Sequence, residues 1–419
     1  MFPYPQNNLL KTDMKRTAFL LISLFSLASA SAQKKDFAYT FYGFVRGDLF
    51  YNSRANVAPV DGNFYLYPMP EALDADGKDL NAVPNGSFYS FTTRLGLDVK
   101  GPNVGTARTA AKVETDFGGI ASSTTMLRIR QAYVTLDWTK SQLLIGHTWH
   151  PLFGAVAPDI LNLSTGAPFQ PFNRSPLLRY QYKAGKVKLT AATVWQLQYL
   201  SAGPAGGSEN YIKNGMLPEL YAGADFAGGG WTAGAGAHLL SLKPRTSAAV
   251  QDRIYKVNER MTAVSYEAHL QYKGRNYTFA AKSLLAAALD QTALLGGYGV
   301  SSIDPATGRQ EYTAFRHSTS WINATYGNKW RAGIFAGYTR NLGTGKALAV
   351  PTTHGLGLNI DKVYMVNPSF SYNLPHWKLG VEYCLASAYY GTNDLADGKV
   401  RGTQAATNHR ILGLMMYYF

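Results

Sequence analysis

The chain has 419 residues, with 40 Lys and Arg against 26 Asp and Glu, for a formal net charge of +14. Hydrophobic residues make up 46% of it and charged residues only 16%, below the ~25% usual for soluble domains. With 28 Tyr, 20 Phe, 41 Gly and a single Cys, the composition excludes an internally disulfide-stapled module. It suits a helical membrane protein poorly and transmembrane β-structure well.

The chain opens on a targeting segment. Met14-Lys15-Arg16 is a basic head, Thr17 to Ser29 is an apolar run, and Ala30-Ser31-Ala32 is a cleavage site of the A-x-A kind. The expected organisation is therefore an upstream start over 1–13, a signal peptide over 14–32, and an outer-membrane barrel over 33–419. Beyond Ala32 no apolar run reaches the ~20 residues that a membrane helix needs. A basic chain invites a nucleic-acid partner. Export and the lack of any basic run argue against one, and the positive charge is spread as pore-lining charge would be.

From residue 39 the sequence alternates with period two. The predicted strands are 39–52, 87–100, 105–117, 126–138, 141–150, 176–184, 186–200, 217–227, 230–243, 260–273, 275–289, 313–327, 329–342, 361–374, 376–391 and 406–419. Each is long enough for a tilted strand to cross a bilayer, which takes about 9–11 residues. Short turns alternate with long connections at 53–86, 151–175, 201–216, 244–259, 290–312, 343–360 and 392–405, with 118–125 shorter. That asymmetry is the mark of an up-and-down barrel with periplasmic turns and outer loops. The fold class is all-β, a single 16-stranded antiparallel transmembrane barrel.

Alternation also assigns faces, because lipid cannot hydrate a charge and a wet lumen can. In 87–100, Tyr89, Phe91, Leu95, Leu97 and Val99 are expected toward lipid, with Thr92, Arg94 and Asp98 inward. In 105–117, Val113 and Phe117 oppose Arg108, Lys112, Glu114 and Asp116. Trp138, Trp231, Trp330 and Trp377 each fall at a short turn and read as one aromatic girdle. In the last strand Leu412, Leu414 and Met416 would point inward, so they should pack under a loop or plug unless the register shifts.

The third outer loop, 151–175, carries Pro151, Pro158, Pro168 and Pro171 with Phe153, Phe169 and Phe172. A stiff, aromatic loop of this kind can fold into the lumen as a constriction. Around it lie Leu127-Arg128-Ile129-Arg130-Gln131-Ala132-Tyr133-Val134, then Gly146-x-Thr148-Trp149, then Asn173-Arg174-Ser175-Pro176-x-x-Arg179-Tyr180. This series resembles the DcaP-like trimeric porins, relatives of the phosphate-selective porins. The resemblance is sharpest over 126–182. It implies a homotrimer of sixteen-stranded barrels narrowed by the third loop, with Arg128, Arg130, Arg174 and Arg179 at or near the constriction. His147 departs from the family, which more often has Gln there. The terminal Phe419 on an apolar alternating strand resembles the recognition signal of outer-membrane barrels.

No residue pattern points to catalysis or a cofactor. Glu219 with Asp225, or Glu114 with Asp116, fit lumen lining better than an acid–base pair. His147 and His150 should lie on opposite faces and share no metal. No Gly-x-Ser-x-Gly elbow occurs. The expected function is passive diffusion of small hydrophilic solutes across the outer membrane, without enzyme activity. Arg46, Arg94, Arg108 and Lys112 are expected to line a wall that inward acids nearly balance, so a weak preference for organic acids or phosphate-like anions would be set at the constriction, where Arg128, Arg130, Arg174 and Arg179 outnumber Asp159. The competing readings are a barrel-wall hydrolase and a structural or adhesion barrel with a closed lumen.

Overall fold

The computed structural model describes residues 37–60, 62–119 and 126–419. The expected signal peptide, upstream start and most of loop 118–125 lie outside the described residues.

Sixteen strands cross the wall. They are β1 Ala38–Asn52, β2 in two halves (Asn85–Tyr89 and Arg94–Val104), β3 Ala107–Asp116, β4 Arg128–Asp137, β5 Ser141–Trp149 and β6 Arg174–Ala184. Then follow β7 Val187–Val194, β8 Glu219–Gly228, β9 Trp231–Leu242, β10 Met261–Lys273 and β11 Tyr277–Ala287. The last five are β12 Gln310–Tyr326, β13 Trp330–Thr344, β14 Ile360–Asn373, β15 Trp377–Asn393 and β16 Val400–Tyr418. Each pairs antiparallel with the next, and β1 closes onto β16 from Phe44↔Tyr418 to Asn52↔Arg410. Closure leaves no unpaired edge, which the bilayer would not tolerate. No helix among the described residues is long and apolar enough to cross a membrane.

The short turns gather at one end. At two of them Gly185 and Gly229 hold φ of 62° and 61°, a region that strains any side chain with a Cβ. Trp138, Trp231, Trp330 and Trp377 stand at this same end. Trp231, Trp330 and Trp377 pack their rings on Tyr272, Tyr372 and Tyr417 at 4.7, 4.2 and 4.9 Å. The girdle expected from the sequence is in place.

Several local expectations need correction. The Ser90–Thr93 turn interrupts β2 and shifts its phase. Tyr89 and Phe91 therefore face inward rather than toward lipid; their rings lie 4.8 Å apart, and Phe91 is buried. Phe117 lies past the end of β3 and packs against the loop core, not lipid. β7 stops at Val194 instead of 200, and Gln196 just beyond it donates to Glu219. β15 and β16 extend past the membrane, so 394–399 alone connects them and no long loop spans 392–405.

Two outer loops fold into the lumen. The third carries Val156, Phe169 and Phe172 into a core shared with Trp321, Phe335, Val363 and Met365 of the inner wall. The first brings in Phe64, Tyr65, Leu66 and Tyr67, with Phe64 edge-on to Phe172 at 4.8 Å. The sequence reading anticipated the third loop and missed the first. Leu412, Leu414 and Met416 do point inward, and they pack under Leu161 of the third loop.

Candidate functional site: the third loop and the arginine wall

The third loop leaves β5 at His150. Pro151 suits the first position of the short helical turn Pro151–Phe153, since its missing N–H would be unpaired there. His150 Nδ1 accepts from the Leu152 amide at 3.1 Å and caps that turn.

The opposite face of His150 is tied to β8. Glu219, wholly buried, accepts at Oε2 from His150 Nε2 at 3.1 Å and His238 Nε2 at 2.7 Å. Gln196 donates to Oε1 at 2.7 Å, and Gln291 to Oε2 at 3.3 Å. One step along the wall Lys282 Nζ, also buried, donates to the carbonyls of Leu152 and Phe153, both at 2.9 Å. Buried charges persist only when donors or acceptors surround them. Glu219 and Lys282 meet that condition by holding the loop, so together they form a clamp between the loop and strands β8–β11.

His150, Glu219 and His238 also have the composition of a metal site. The hydrogen bonds oppose that use. His150 Nδ1 accepts from a backbone N–H, so its proton sits on Nε2, the atom that would have to ligate. His147 stands apart from this group, opposite Ala132 and Pro176 in its ladders. Glu219 and Asp225 do not meet either. Asp225 pairs with His269 at 3.0 Å and Lys188 at 3.2 Å.

The arginines gather across β1–β6. Arg128 grips Asp116 through Nε at 2.7 Å and Nη2 at 3.0 Å. Arg130 bridges Glu114 and Asp116, both at 2.9 Å. Arg94 lies 3.7 Å from Glu114. Three guanidiniums thus share two carboxylates. Arg174, fully buried, makes no ion pair among the described residues. It is stacked against Trp149, Phe172 and Tyr199, with its carbon 4.8 Å from the Trp149 ring centre, and Nη2 donates to the Tyr199 hydroxyl at 3.2 Å. A desolvated guanidinium over aromatic faces gains about 2 kcal/mol or more from cation–π attraction.

The other expected residues scatter. Arg46 pairs with Asp48 at 2.7 Å and donates to the Leu161 carbonyl at 2.8 Å, bracing the loop. Lys112 pairs with Asp98 at 2.8 Å. Arg108 is exposed and sits opposite Asp137 near the turn end, far along β3 from Asp116. Asp159 does not oppose the four arginines. It pairs with Arg331 on β13 at 2.5 Å, so the acids facing the cluster are Glu114 and Asp116 instead. Arg179 makes no ion pair or hydrogen bond among the described residues. It borders a cavity of about 110 Å³ beneath the loop, with Trp149, Gln181, Lys188, Tyr221 and Asp225. Lys378, inward on β15, is likewise without a carboxylate partner there.

Glu219, His238 and Lys282 hold the loop to the wall, and sequence reasoning did not join them. The signal was present as ionisable residues at inward positions of neighbouring strands.

No family model matches the sequence, and no curated protein matches it. Among solved structures, the chain is similar to the outer membrane channel DcaP of Acinetobacter baumannii. The two are 21% identical, with a TM-score of 0.65 over 92% of this chain and 99% of that one. It is also similar to OmpT, an outer membrane protein of Vibrio cholerae, in a trimer form (12% identity, TM-score 0.55, 92% and 100% covered). A third is Salmonella typhi OmpF in complex with daunomycin (11%, 0.50, 91% and 97%). These likenesses establish the fold, which is the one the DcaP-like resemblance implied. A closed barrel with an apolar outer band and an aromatic girdle is an outer-membrane protein.

Proposed function

We propose that this barrel is a passive pore for small hydrophilic solutes, with a weak preference for anions, and that it performs no catalysis. The observation that carries the reading is the charge count at the loop. Arg94, Arg128 and Arg130 share only Glu114 and Asp116, and Arg174, Arg179 and Lys378 add positive charge with no ion pair among the described residues. A narrowed, low-dielectric passage focuses the field of such groups. Clustered Arg favours anions and can grip carboxylate or phosphate at two points. Most of these arginines are already paired, so the preference is weak rather than exclusive. In a salt gradient the wild-type reversal potential should have the sign of anion selectivity. It should shrink as salt rises, because the Debye length falls from ~8 Å at physiological strength to ~3 Å at 1 M. A cation-selective sign would show that the acids govern.

The trimer form of one structural neighbour and the family resemblance support a homotrimer. A detergent-purified species of monomer mass would remove that part of the proposal. The second reading is a barrel with a closed lumen. It draws on the apolar contact between the first and third loops, where Phe64 meets Phe172. The two readings differ in whether ions pass at all.

A further inference from the structure

We infer that the outer rim of the wall between β10 and β13 carries a binding groove for the phosphorylated headgroup of an outer-leaflet lipid. The inference is independent of the pore's selectivity and rests only on the loop end facing outward.

The groove, of about 580 Å³, lies on the outside of the barrel. Its floor is apolar. Val264 and Leu285 are 44% exposed and belong to the lipid-facing band. Its rim is not. Tyr312, Arg316 and Lys346 border it, while Tyr266 lies lower, level with Leu285. Arg316 is exposed and has no ion pair among the described residues; Lys346 reaches Glu311 at 2.7 Å.

Height decides what Arg316 meets. It pairs across the ladder with Ala287, while Tyr277 starts β11 at the turn end. A tilted strand between those positions climbs roughly 25 Å, the height of the apolar band of an outer-membrane barrel. Arg316 therefore stands where hydrocarbon ends and headgroups begin. Tyr rings favour this level too. An unpaired guanidinium there is matched by a phosphate, which it can hold through two parallel hydrogen bonds. The groove floor below it accepts the first methylenes of an acyl chain.

The test uses the intact barrel in detergent. Native mass spectrometry would follow binding of a bis-phosphorylated diglucosamine lipid (lipid A) and of the same lipid with its phosphates removed. Wild-type protein should bind the phosphorylated form about tenfold more tightly. Arg316→Ala with Lys346→Ala should lose that difference while keeping heat-modifiable migration and wild-type conductance. Equal binding of the two lipids by wild type would overturn the inference, and that comparison needs no variant to fold. Undiminished discrimination by the double variant would overturn it as well.

Discussion

Glu219→Ala should release the third loop from the wall and raise single-channel conductance several-fold. The substitution removes one carboxylate but strands four donors, on His150, His238, Gln196 and Gln291. Breaking a buried charged network from one side costs roughly 3–5 kcal/mol. The barrel does not bear this cost alone, because its ladders close without Glu219's side chain. The loop bears most of it, since His150 is its first residue and Gln291 its contact with the sixth outer loop. Lys282→Met should act in the same direction by removing both donors to the Leu152 and Phe153 carbonyls. Conductance of purified protein in planar bilayers is the measurement. Wild-type conductance in both variants would mean that aromatic packing, not the clamp, positions the loop.

The second large effect concerns selectivity. Arg179→Glu combined with Lys378→Glu should turn the proposed anion preference into a cation preference. Both side chains point inward without an ion pair among the described residues, so reversing them changes the field without breaking one. Arg174 is a poorer probe. Its guanidinium is enclosed by Trp149, Phe172 and Tyr199, and its removal would disturb packing before charge. The reversal potential at low salt reads the change. A double variant with the wild-type sign would place control with Arg94, Arg128 and Arg130, whose net excess over Glu114 and Asp116 would then suffice.

The strands were legible because lipid imposes a rule on every second residue. All sixteen were found within a few positions of their ends, apart from the early stop of β7 and the long extension of β16. Where the rule failed, the inner environment was not water. Tyr89 and Phe91 look lipid-facing by pattern, yet the first and third loops provide an apolar interior for them to enter. The run Phe64-Tyr65-Leu66-Tyr67 carried the same information. Four large side chains in an outer loop need a place to bury, and the lumen is the one available.

The site was legible in part. Arg128, Arg130, Arg174 and Arg179 came from a motif series, and the structure sets three of them against aromatic or acidic partners. Their partners were harder to read. Asp159 looked like the opposing acid because it is on the loop, but chain proximity does not fix which wall a loop residue meets. Glu219 and His150 are 69 residues apart, and Lys282 lies 130 from Leu152. Such pairings follow from barrel closure and loop path, neither of which a local pattern encodes.

The central claim is that water and ions pass through this barrel despite the two inward loops. Purified wild-type protein in a planar bilayer tests it most directly. The account predicts discrete conductance steps whose size grows in proportion to KCl concentration, as a wet, weakly binding pore requires. A protein that inserts with the heat-modifiable migration of a folded barrel, yet gives no steps, would contradict it and leave the closed-lumen reading in its place.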